Sequence, residues 1–117
     1  MTQSVTIKKR ATFLMMSREG ICFKTRGVVS LYKKMEDARS FVGYTASRKV
    51  GNAVLRNLAK RRLRSLVREC SSEILTGSCF VFIATRKTVD LKFSQLRSDF
   101  VYTLRKAKEY GDAYATS

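Results

Sequence analysis

Between Arg48 and Arg68 the chain carries eight cations, Arg48, Lys49, Arg56, Lys60, Arg61, Arg62, Arg64 and Arg68, and no acid. Arginine outnumbers lysine there, and a guanidinium fork can hold two phosphate oxygens at once or stack on a base, so the chemistry on offer is polyanion binding. Asn52 and Asn57 add neutral groups that both donate and accept hydrogen bonds. Cleaving a phosphodiester needs a base, an acid or a carboxylate cage for metal ions. The chain has no histidine, and Glu19, Glu36, Asp37, Glu69, Glu73, Asp90, Asp99, Glu109 and Asp112 are scattered, with only Glu36 and Asp37 adjacent. Cys22, Cys70 and Cys79 form neither an even set nor a Cys-x-x-Cys motif. Three reduced thiols, buried or inert, are therefore expected in place of a disulfide framework or a zinc site. No catalytic residue, metal ligand or small-molecule site is expected on the chain itself.

The whole chain repeats the bias of its middle. Its 117 residues include 24 Lys plus Arg against nine Asp plus Glu, a formal charge of +15. Self-repulsion on that scale is relieved by a polyanion, and nucleic acid fits because each phosphate contact releases condensed counterions. An anionic membrane is the alternative, but the longest apolar run, Cys79 to Ala84, falls far short of the roughly 18 residues needed to span a bilayer. Met1 to Arg10 has no apolar stretch followed by a small-residue cleavage site, so a cytoplasmic protein is expected.

The elements that must position these cations can be read from periodicity. With no proline and no repeat to divide it, the chain reads as a single RNA-binding domain over 1–117, with its core at about 7–110 and a frayed tail over 111–117. Ala11 to Arg18 predicts a short helix closed by Gly20 in the left-handed conformation. Val28 to Tyr32 and Arg39 to Ser47 predict two antiparallel strands joined by a turn. A long helix then runs from an Asn52 N-cap to about Ile74, with Gly77 as its stop. Winding it places Leu55, Ala59, Leu63, Leu66 and Cys70 on a stripe for burial, and Asn57, Lys60, Arg61, Arg64 and Arg68 on another face. Cations at i and i+4 repel by about 0.2–0.5 kcal/mol per pair, which only a polyanion makes favourable.

Cys79 to Thr85 is apolar enough for a central strand covered on both faces. After a basic turn at Arg86-Lys87, Phe93, Leu96, Phe100, Leu104 and Ala107 recur at helical spacing. The order helix, strand, strand, helix, strand, helix is that of an α+β two-layer sandwich with a small mixed sheet. Strand, long helix, strand is a parallel crossover, right-handed on general statistics.

Residues Ala46 to Arg64 read ASRKVGNAVLRNLAKRRLR, and this resembles the signature of the bacterial ribonuclease P protein family. Gly51, Asn52, Ala53, Val54, Arg56, Asn57, Lys60, Arg61 and Arg64 match that pattern. Leu58 departs from it, standing where the family usually has the second Arg of an Arg-Asn-Arg, and Arg62 is the cation expected to compensate. The resemblance implies a left-handed crossover, against general statistics. It implies a subunit that assembles with a catalytic RNA, 1:1, to remove the 5′ leader from precursor tRNA, with Mg²⁺ held by the RNA and no cofactor bound by the protein alone. It further implies that the basic helix region (Arg48, Lys49, Asn52, Arg56, Asn57, Lys60, Arg61, Arg62, Arg64, Arg68) faces the catalytic RNA. The single-stranded leader would lie between the first helix and the sheet, with Phe13, Tyr32 and Tyr110 as candidate aromatics. Ser17 stands where a second helix aromatic is expected. Aromatic platforms in a positive groove suit an unpaired strand on general grounds. A ribosomal-type binding module, a DNA-binding repressor and a self-sufficient nuclease are the competing readings. Strands on both sides of the basic helix argue against the second, and the scattered carboxylates argue against the third.

Overall fold

The most apolar segment takes the position that buries it best. In the computed structural model, which describes residues 4–74 and 76–114, β5 (Ser78–Ala84) is the middle strand of five. The others are β1 (Ser4–Thr6), β2 (Ile21–Lys24), β3 (Val28–Lys34) and β4 (Ser40–Thr45), in the order β1-β4-β5-β3-β2. β5 runs antiparallel to β3, from Val28 opposite Ala84 to Lys34 opposite Ser78. It runs parallel to β4, from Phe41 opposite Cys79 to Thr45 opposite Ile83. β1 pairs parallel with β4, and β2 pairs antiparallel with β3.

The strands predicted as a paired hairpin are thus β3 and β4, and they do not pair: β5 lies between them. Two strand spacings are about 9–10 Å, a gap that the segment between Lys34 and Ser40 spans easily. Inserting β5 pairs both of its edges and sets it between α1 on one face of the sheet and α2 and α4 on the other. The short strands β1 and β2 carried too few residues to show a period.

α2 (Ala53–Glu69) connects β4 to β5 and packs with α4 (Phe93–Tyr114) on one sheet face. Ala59, Leu63, Leu66 and Cys70 of the predicted stripe are buried beside Phe80 and Phe82, each large side chain contributing about 1.5–3 kcal/mol. Leu55 is instead exposed, resting over Gly51. The long helix ends at Glu69, and a 3₁₀ turn at Ser71–Glu73 carries the chain towards Gly77, whose φ is +69°. Leu96, Phe100, Leu104 and Ala107 of α4 are buried as their spacing predicts. This helix continues to Tyr114, through four residues read as a frayed tail; 115–117 lie outside the described residues.

α1 (Arg10–Glu19) covers part of the opposite face, where Met16 packs with Leu31, Cys79 and Val81. Gly20 closes it in an extended conformation, φ −73°, and not the left-handed one expected. Its backbone N–H donates to Met16 O at 2.8 Å, and a Cβ there would come within 2.6 Å of the same oxygen, so close approach is what requires glycine. Arg86-Lys87, predicted as a turn, opens the short helix α3 (Arg86–Asp90), because Thr85 and Thr88 cap its first turn reciprocally.

Candidate nucleic-acid interface

β4 delivers the chain into a tight turn where the basic segment starts. Val50 N–H donates to Ser47 O at 3.0 Å, and Gly51 N–H to Arg48 O at 3.2 Å. Gly51 has φ +145°, a conformation L side chains rarely adopt. Asn52 Oδ1 then accepts from Leu55 N–H at 3.0 Å, so its predicted capping role is met and its amide NH₂ is left for a ligand. Arg48 and Lys49 are exposed in this turn, beside the positive end of the α2 dipole.

Along α2, Asn57, Arg61, Arg64 and Arg68 are exposed, while Arg56 and Lys60 are half-buried. Arg56 folds back to donate from Nη1 to Gly51 O at 3.0 Å, bracing the turn. The described residues include five ion pairs: Arg26–Asp99, Lys33–Glu19, Arg39–Asp37, Arg97–Glu69 and Lys106–Glu109. None uses a cation between Arg48 and Arg68. Glu69, the one acid on α2, turns to Arg97 of α4 instead. Of the adjacent pair Glu36 and Asp37, Asp37 is bound to Arg39, whose side chain and then backbone N–H hold its carboxyl down at about 2. Among the described residues no group of His, Cys, Asp or Glu comes together as a metal site, and no helix is long and apolar enough to cross a membrane.

Arg62 is the exception within the basic helix. Its Nη1 donates to Thr88 O at 2.6 Å and Val89 O at 2.8 Å, and its Nη2 to Leu91 O at 2.8 Å. These are the carbonyls that the end of α3 leaves unpaired. The guanidinium also lies 5.7 Å from the Phe93 ring centroid. Arg62 therefore caps a neighbouring helix, and does not stand free to replace the arginine missing at Leu58.

The aromatic candidates separate. Phe13 is half-buried on the α1 face, close against the bare backbone of Gly43, where a Cβ would lie 2.8 Å from the Phe13 ring. Tyr32 and Tyr110 lie on the other side of the sheet, Tyr32 in the core beneath α4 and Tyr110 half-buried on α4 itself. Tyr32 is 4% exposed, with ring centroids 5.2 Å from Phe80 and 6.3 Å from Tyr110. Burial pushes its hydroxyl pKa up, with Tyr110 and Asp112 adding to the shift. Tyr32 sits opposite Phe80 and Leu31 opposite Val81 in the ladder, so this register, together with strand alternation, puts Tyr32 on the α4 side. The three aromatics cannot form one platform.

Two aromatics not singled out by the sequence stand better placed. Phe41 is half-buried on the Phe13 side, with the Arg39 guanidinium 5.3 Å from its centroid. Tyr44 points to the α2 side, 5.5 Å from the Arg64 guanidinium, in a depression of about 290 Å³ that also includes Arg68 and Ser71. Burial raises the Tyr44 pKa, partly opposed by the positive fields of Arg64 and Arg68. The alternation of Phe41, Gly43 and Thr45 with Val42 and Tyr44 was the available signal, since it already put the two rings on opposite faces. Ser17, where an aromatic was expected, donates to Leu14 O within its own helix.

Comparison with known proteins places these features in context. The family model described as Ribonuclease P matches residues 1–108. The ribonuclease P protein component of Listeria innocua is 31% identical over 106 residues, covering 90% of this chain and 89% of that protein. That of Streptococcus pneumoniae serotype 4 is 28% identical over 110 residues, covering 94% and 89%. The solved RNase P protein of Staphylococcus aureus superposes with a TM-score of 0.79 at 28% identity, covering 91% of this chain and 97% of that one. The Thermotoga maritima RNase P protein gives 0.77 at 27% identity, covering 86% and 96%.

Proposed function

The chain belongs to the ribonuclease P protein family, and on that premise we propose that it is the RNA-binding subunit of a ribonuclease P, assisting a catalytic RNA in removing the 5′ leader from precursor tRNA. The observation that carries this reading is that Arg48, Lys49, Lys60, Arg61, Arg64 and Arg68 have no carboxylate partner among the described residues. Single-sign crowding left unneutralised within the fold is suited to phosphates. The catalytic RNA lies against this surface, and the unpaired leader lies on the opposite face, along Phe13 and Phe41. Mg²⁺ is held by the RNA, and the protein lowers the repulsion between the two polyanions that the reaction brings together. The complex is 1:1 and acts in the cytoplasm.

Reconstitution tests this directly. At low Mg²⁺, protein plus its RNA subunit is expected to release the leader from a precursor tRNA, while the protein alone cuts nothing. R61Q and R64Q are each expected to lower the slope of log affinity against log salt by about 0.7–0.9 per lost phosphate contact. Robust cleavage by protein alone, or slopes unchanged in both variants, would overturn the reading.

A further inference from the structure

α4 carries a second candidate surface, which the functional reading above does not use. Tyr102 is 46% exposed and is the one exposed aromatic among the described side chains. With Arg97, Val101 and Arg105 it lines a depression of about 370 Å³. A second depression of about 260 Å³ shares Val101 and Arg105 with the first and adds Lys108, Ser72 and Glu73. The two therefore form one trough along the helix, with Arg105 on the wall common to both. Arg105 and Lys108 have no ion-pair partner among the described residues, and Lys106 stands 5.6 Å from the Tyr102 ring.

α4 and α2 pack side by side on the same sheet face, tied by the 3.3 Å Arg97–Glu69 pair. The trough on α4 therefore begins beside the C-terminal end of α2, at Arg97. We infer that the trough at Arg97, Tyr102, Arg105 and Lys108 is a second RNA contact surface, taking an unpaired strand whose phosphates meet Arg105 and Lys108 and one of whose bases stacks on Tyr102. An exposed ring flanked by cations is the arrangement that holds single strands without reading sequence. Glu73 is the one carboxylate on the walls, against the three cations Arg97, Arg105 and Lys108. The inference rests on the RNA-binding reading of α2.

The test uses the full chain and a labelled oligouridylate, with anisotropy read across a salt series. R105Q/K108Q is expected to lower the salt slope by about 1.4, from about 0.7 per single-strand phosphate contact. Y102A is expected to bind roughly tenfold more weakly with the slope preserved, and Y102F to bind as the parent does. These side chains are exposed, and circular dichroism checks that the variants remain folded. Parent-like binding by both R105Q/K108Q and Y102A overturns the inference. A lowered slope with Y102A indifferent overturns the assignment of an unpaired, stacked strand. R61Q/R64Q in the same series separates the two levels. If it alone lowers the slope, only the α4 surface fails; if it too binds like the parent, the functional reading fails with it.

Discussion

Replacing Arg62 by glutamine is expected to destabilise the fold while leaving RNA binding intact, the reverse of what replacing its neighbour Arg61 does. Arg62 makes three hydrogen bonds, at 2.6, 2.8 and 2.8 Å, to the carbonyls of Thr88, Val89 and Leu91. A hydrogen bond to a charged group contributes about 1.5–3 kcal/mol, so three set a ceiling of several kcal/mol. Arg62 is only half-buried, and water can replace part of what it gives the carbonyls. A net loss of about 2–3 kcal/mol follows, which for a domain of about 100 residues lowers Tm by roughly 10–20 °C. R62K keeps the charge but not the fork that reaches three acceptors, and should fall between the parent and R62Q. Arg61 is exposed and makes no such bond, so R61Q should change stability by about 0.5 kcal/mol or less. Urea and thermal denaturation give the stabilities, and the salt dependence of RNA affinity gives the contacts. A parent-like Tm for R62Q together with a salt slope reduced as in R61Q would refute the assignment of Arg62 to the fold.

Gly51→Ala forces a side chain into φ +145° and places a methyl 2.6 Å from Leu55 Cδ1, so a loss of about 1–3 kcal/mol in urea denaturation is expected. Thr103→Val removes the acceptor of the buried Ser30 hydroxyl, 2.8 Å away, at a cost of about 1–3 kcal/mol. Ser30→Ala/Thr103→Val should lose less than the two single variants summed, and a double-variant loss equal to that sum would argue against coupling. Iodoacetamide at pH 8 under native conditions should label Cys22, which is exposed, and spare Cys70 and Cys79. Burial raises both of the latter thiols, Cys79 to about 11, so each stays protonated at that pH; mass spectrometry showing Cys79 modified as fast as Cys22 would contradict this.

The central sheet separates two differently built surfaces. α2 lies over β4 and β5 with its free cations outward, while Phe13 and Phe41 sit on the reverse, on the α1 face. The turn from Ser47 to Asn52 joins a strand that supports both sides to the helix that carries the charge. Its glycine and asparagine, which the sequence motif already picked out, are explained by a positive φ and an N-cap.

Legible in the chain alone are the charge and its concentration in one helix, the buried stripes of that helix and of α4, the central place of the Cys79 to Thr85 strand, and the family. Each depends on residues near one another in the chain, where composition and period are sufficient. The remaining features depend on partners distant in sequence. Helical spacing states that Arg61 and Arg62 point in different directions, yet only the docking of α3 beside α2 makes the second a cap and leaves the first for a ligand. Strand alternation separates Tyr32 from Leu31, but only the register against β5 and the placing of α1 and α4 show that Tyr32 and Phe13 lie on opposite faces. The two predicted strands look like a hairpin locally, and it is the burial gained by a strand some forty residues further on that parts them.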